Sequence, residues 1–134
     1  MNRLVACFSA TLAAASLAAP AAAAEWLVYR PEADGITMSI DVSSLEIKGN
    51  KRTVWSKAEF TQPRQSENGM LKEIRQLLEI DCLSRVQRRI SEVGADPAGA
   101  SLYQLEESKE VGRVLPETVG ERRLVVVCGY KAKK

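Results

Sequence analysis

The chain has no histidine. That removes the usual general base, the side chain that titrates near neutral pH and the commonest metal ligand. A nucleophilic serine would have to rely on a lysine or a carboxylate instead. Aromatic residues make up only 5% of the chain. There is no glycine-rich phosphate loop and no cluster with metal-ligand spacing. Charge is nearly balanced, 19 Lys and Arg against 17 Asp and Glu for a net +2, which is no footprint of a nucleic-acid binder. These absences speak against an enzyme, a cofactor and a nucleic-acid partner. At 134 residues, the chain has room for one domain with one core.

The N-terminal segment is of a different kind. Met1-Asn2-Arg3 is a short positive start, Leu4 to Leu17 is mostly apolar, and Ala18 to Ala24 is alanine broken only by Pro20. Ala22-Ala23-Ala24 before Glu25 fits the small-residue rule for leader cleavage. Residues 1–24 are therefore read as a signal peptide and 25–134 as the working domain, exported to the periplasm, with surface display or secretion as the alternatives. The stretch is too rich in alanine for a transmembrane helix, and nothing later in the chain could span a bilayer. Leu4-Val5-Ala6-Cys7 has the shape of a lipoprotein site but precedes the apolar region, so Cys7 is read as lost with the leader.

That leaves Cys82 and Cys128, an even number in an exported chain, for which a disulfide is the default. A bridge between them would close a long loop, worth about 4 kcal/mol in the chain-entropy treatment.

Along the working domain, Trp26 to Arg30 reads as a strand and Pro31 to Gly35 as a turn. Ile36, Met38 and Ile40 alternate with polar residues at strand period. Lys48 to Lys51 is a turn signal, and Thr53 to Phe60 alternates again. Gln62 to Gly69, with Pro63, reads as a loop. From Met70 to Val93 two patterns compete. Leu71, Ile74, Leu77, Ile80, Leu83, Val86, Ile90 and Val93 recur at threes and fours, which favours one amphipathic helix. A weaker strand parity joins Ile74, Leu78, Ile80, Cys82, Val86 and Ile90. Gly94 to Gly99 is a turn, Leu102 to Leu105 a short strand, and Glu106 to Glu110 a solvated loop. Pro116 to Cys128 is open as well. Its N-terminal Pro116, Glu117 and Glu121 and its trailing Gly129 suit a helix, but Leu124 to Val127 is rich in β-formers.

Candidate chemistry is sparse. Asp41 with Ser43 and Ser44 reads as a cap on a turn at a strand end, because no base is at hand for a serine. Glu79 and Asp81 would share one face of a strand, where a solvated face is the commoner meaning. The few aromatics, Trp26, Trp55, Tyr29 and Tyr103, read as core or sheet-face residues before they read as a ligand platform. The basic residues group more suggestively. A Cys82–Cys128 bond would draw Arg85, Arg88 and Arg89 toward Arg122, Arg123, Lys131, Lys133 and Lys134, a candidate cationic contact surface.

Several short segments then follow in order: Ile40-Asp41-Val42-Ser43-Ser44-Leu45, Val54-Trp55, Glu79-Ile80-Asp81-Cys82, Leu115-Pro116-Glu117-Thr118 and Val126-Val127-Cys128. In this order, with the leader and the two cysteines, the chain resembles the bacterial surface-adhesin protein E family, from about Trp26 to Cys128. The resemblance implies an α+β fold in one domain, an antiparallel sheet of about six strands with a C-terminal helix tied to the sheet by the cysteine pair. It makes Met70 to Val93 two strands with a turn near Cys82, and Thr118 to Cys128 the helix; we follow it in both places.

The function it implies is a non-enzymatic binding protein adhering to host matrix proteins such as vitronectin and laminin, or to plasminogen. Lys134 at the chain end suits the last of these, because kringle modules bind a C-terminal lysine. Self-association into a homodimer is open. The alternative is a periplasmic structural or regulatory module that offers a sheet edge or face to a bacterial envelope partner.

Overall fold

The computed structural model describes residues 23–131. Residues 1–22, which hold most of the leader and Cys7, and the tail residues Lys133 and Lys134 lie outside that range. Seven strands and one helix follow in order. They are β1 (Trp26–Ala33), β2 (Ile36–Lys48), β3 (Lys51–Ser66), β4 (Gly69–Asp81), β5 (Val86–Ala95), β6 (Ser101–Leu105), β7 (Gly112–Arg113) and α1 (Val119–Gly129). The first six form an antiparallel meander in sequence order. Its outer edge at β5 is shared, because β6 pairs with Glu92 to Ala95 and the two-residue β7 with Val86 and Gln87.

Turn chemistry explains the meander. Asp34 and Gly35 both take positive φ, 55° and 77°, which suits a two-residue hairpin whose twist matches the flanking strands. At the β4–β5 turn, Asp81 Oδ1 accepts from the amides of Leu83 and Ser84, each at 3.0 Å. That bond lets the chain reverse through Cys82 without help from a glycine.

Met70 to Val93 is thus two strands, and the helical pattern misled for a physical reason. Ile74, Leu78 and Ile80 face the helix side of the sheet while Leu77 faces away, so apolar residues occupy both faces of β4. A bulge at Ile90 then shifts the parity of β5, since Leu77 pairs with Ser91 but Leu78 with Arg89. Apolar positions on two faces plus a one-residue insertion imitate a spacing of three and four.

Three boundaries differ from the sequence reading. β1 continues through Pro31 to Ala33, because on an edge strand the missing proline amide goes unneeded. β3 runs to Ser66 where a loop was expected, and Pro63 sits in an irregularity between the pairs Glu59–Glu73 and Arg64–Leu71. There Lys72 Nζ donates to the carbonyls of Phe60 and Thr61, at 2.7 and 3.2 Å. The Asp41 cluster lies inside β2 instead of at its end. The pairing skips from Asp41–Trp55 to Glu46–Thr53, and the Ser44 hydroxyl fills the gap by accepting from the Trp55 amide at 3.0 Å.

The helix lies on one face of the sheet. Tyr29, Ile40, Val54, Leu78 and Ile80 pack there with Val114 and with Leu124 and Val127 of α1. Leu124 and Val127, three apart, share one helical face, while Val125 is 58% exposed. The β-rich run is therefore helical at the cost of exposing one valine. Thr118 caps the helix, its Oγ1 accepting from the Glu121 amide at 3.2 Å. The far end is tied by Cys82–Cys128, with Cα atoms 5.9 Å apart. No helix among the described residues is long and apolar enough to cross a membrane.

Candidate functional site

The basic residues expected to form a contact surface are mostly drawn into local pairs. Arg85, in the β4–β5 turn, bonds Glu121 at 2.7 Å and so fastens the start of α1 to the turn that Cys82 fastens to its end. The Glu121 carboxyl also accepts from the Glu117 amide at 2.7 Å. That backbone bond, then Arg85, holds it below the usual carboxylate range. Arg123 donates to Gln87 Oε1 at 2.5 Å. Arg88 and Arg89 point to opposite faces, as period two requires. Arg88 meets Glu79 at 3.4 Å and also pairs with Glu107. Arg89 lies 3.6 Å from Glu92. Arg122 and Lys131 are exposed. The disulfide does gather arginines around the helix, but carboxylates and an amide meet most of them there.

On the helix side, Glu92 forms the centre of a polar cluster. It is 8% exposed, and it accepts from Gln76 at 2.6 Å and from the Tyr103 hydroxyl at 2.9 Å. Burial first, and the Glu92 carboxylate second, push the Tyr103 hydroxyl up to about 12. The Glu92 carboxylate is thus taken up by its hydrogen bonds to Gln76 and Tyr103, a structural network that ties β4, β5 and β6 together. Glu79 and Asp81 serve structure too, one pairing with Lys51 at 3.6 Å, the other holding its turn. Among the described residues no group of acidic, histidine or cysteine side chains could hold a metal ion.

The face away from the helix carries what sequence reading undervalued. Cross-strand pairing sets Trp26, Asp41, Trp55 and Leu77 in one row, with Lys57, Arg75 and Val93 in the next. Lys57 Nζ lies 4.4 Å from the centre of the Trp26 ring, and the Arg75 guanidinium 5.5 Å from it. A cavity of about 400 Å³ opens between the rows, lined by Ala24, Trp26, Asp41, Trp55, Arg75 and Val93. The signal was present in the parity of β3, which puts Trp55 and Lys57 on one face. What the sequence could not show was that Trp26, on another strand, joins them.

A sequence model of the family named surface-adhesin protein E matches residues 26–129. The chain belongs to the surface-adhesin protein E family. Solved structures bear out the shared fold. The structure of Haemophilus influenzae protein E in its crystal form II aligns with a TM-score of 0.59 at 12% identity, covering 79% of this chain and 97% of that one. Protein E from non-typeable Haemophilus influenzae aligns at 0.56 and 11% identity, covering 83% and 80%. At such identity the likeness to each is one of fold. No curated protein matches the chain in sequence. For this adhesin E family member, the family-derived expectations of an antiparallel sheet of about six strands, a C-terminal helix and a disulfide between them all hold, the two-residue β7 being a seventh strand beside the six of the meander.

Proposed function

We propose that this family member is an exported, non-enzymatic adhesin that binds host matrix or plasma proteins through the sheet face opposite the helix. The observation that supports this surface is the pairing of Trp26 and Trp55 around one cavity, with cations over the Trp26 ring. Tryptophan and arginine are the side chains that most often carry binding energy at protein interfaces. The helix face, by contrast, is taken up by the core and its polar cluster. Arg122 and Lys131 add exposed positive charge near the helix, and the sequence's Lys133 and Lys134 are the residue type that a lysine-binding partner such as plasminogen would recognise.

The test is binding of the purified full chain to immobilised vitronectin, laminin and plasminogen. Trp55→Ala and Arg75→Ala should weaken matrix-protein binding about tenfold or more, as loss of an interface hot spot does. Arg122→Ala should leave it nearly unchanged. Protease treatment of intact cells should remove the protein. Resistance to such shaving, with no binding to any of the three partners, points instead to the periplasmic module.

A further inference from the structure

Glu25 stands immediately before β1, and the backbone holds it in place. Its nitrogen donates to Asp41 Oδ1 at 2.9 Å, and its carbonyl accepts from the Val42 amide at 2.9 Å. Asp41 is 8% exposed, and its Oδ1 also accepts from the Ser43 amide at 3.0 Å and the Ser43 hydroxyl at 2.5 Å. Three donors thus converge on one oxygen of a buried carboxylate. All three are neutral in the uncut chain, where the Glu25 nitrogen is a peptide amide.

The leader reading places the cut at that same nitrogen. Hydrolysis of the Ala24–Glu25 bond consumes one water; the Ala24 carboxylate departs with the leader, and the Glu25 amine takes up a proton at neutral pH. We propose that leader removal thereby completes a structural ion pair: the new α-ammonium of Glu25 binds the Asp41 carboxylate and pins the first strand beside the tryptophan face. A charge-assisted hydrogen bond is roughly twice as strong as a neutral one. The other cation lining the cavity, Arg75, is already held by Glu73 at 2.8 Å. Only a cut at this bond places the ammonium on Asp41. Each residue of extended chain spans about 3.3–3.6 Å, so a cut one residue earlier would carry the ammonium away from Asp41.

The same cut acts on the surface assigned above to host binding, and this part of the inference rests on that assignment. Ala24 lines the Trp26–Trp55 cavity. Its departure with the leader widens that cavity, so the uncut chain offers a smaller face and lacks the charge that strengthens the hold on the start of β1.

The test uses the exported, processed protein and a variant with Gly-Ser inserted after Ala24, which moves the new ammonium off Asp41. Each is made with Asp41 and with Asp41→Asn, which keeps an acceptor for Ser43. Intact mass should show the first protein starting at Glu25. With Asp41 present, the insertion should lower Tm by about 3–6 °C at pH 7, a readable shift for a domain of this size. In the Asp41→Asn background the two N-termini should melt together. The α-amine should acylate several-fold more slowly in the Glu25-first protein than in the inserted one. Equal melting with Asp41 present, a difference that survives Asp41→Asn, or equal acylation overturns the ion pair. A mass starting elsewhere than Glu25 overturns the leader reading and the pair with it. Failure of host-protein binding would instead strike the function, leaving the melting and acylation results standing.

Discussion

Tyr103 lies across the backbone of Gly94, its partner on the neighbouring strand, so closely that a Cβ on Gly94 would come within 2.2 Å of the ring. The absence of a side chain on β5 is what lets the short strand β6 dock. The docked ring in turn delivers its hydroxyl to Glu92.

Gly94→Ala should therefore destabilise the domain by about 1–3 kcal/mol, the usual cost of overpacking. Urea unfolding measures it. Much of the loss should be recovered in the double variant Gly94→Ala/Tyr103→Ala, because the clash needs both partners. Simple additivity of the two variants would contradict the contact.

The Tyr103 hydroxyl is pushed up to about 12 from an ordinary value of 10. A group raised on folding stabilises the fold fully below its unfolded pKa, and the contribution is lost as pH rises through the folded one. Stability should thus fall between about pH 10 and 12 beyond what other groups produce, and Tyr103→Phe should remove that component. Chemical denaturation across this range, with tyrosinate absorbance followed in parallel, checks it.

Glu121 shifts the other way. Its carboxyl is lowered by the Glu117 amide and then by Arg85. Its contribution is present above the ordinary carboxylate value and is lost as pH falls through the lowered one. The first turn of α1 should fray in acid earlier than the sheet, as read by amide exchange of residues 119–122. Glu121→Gln should show that fraying already at pH 7.

Cys128→Ser should cost about 2–5 kcal/mol, with α1 exchanging before the strands. A helix of 11 residues is marginal alone. Free-thiol labelling of the unreduced wild type should find neither Cys82 nor Cys128 reactive.

The parts of the fold that could be read from residues are those set by local rules. The alternation of Ile36, Met38 and Ile40 and the turn at Lys48 to Lys51 each depend on neighbours in sequence, whereas the helix from Thr118 was left open by the residues and came from the family resemblance. The long β4–β5 hairpin did not yield to that reading, because its apolar residues serve two faces and Ile90 is inserted; the family resemblance was needed there. The site divided the same way. Pairing of Cys82 with Cys128 followed from count and compartment. The pairing of Arg85 with Glu121 and of Arg123 with Gln87 did not, since each joins residues 36 apart. Local spacing shows where charges cluster but not which distant partners neutralise them.

The bridge from Cys82 to Cys128 encloses β5, β6, β7, the exposed connection around Glu106 to Glu110 and nearly all of α1 in one covalent ring. A cut anywhere in that connection opens the ring without dividing the molecule. Such a nicked chain runs as one band on a gel until a reductant is added, then as two. Scission of this exposed connection thus releases no fragment and leaves β1 to β4 uninterrupted.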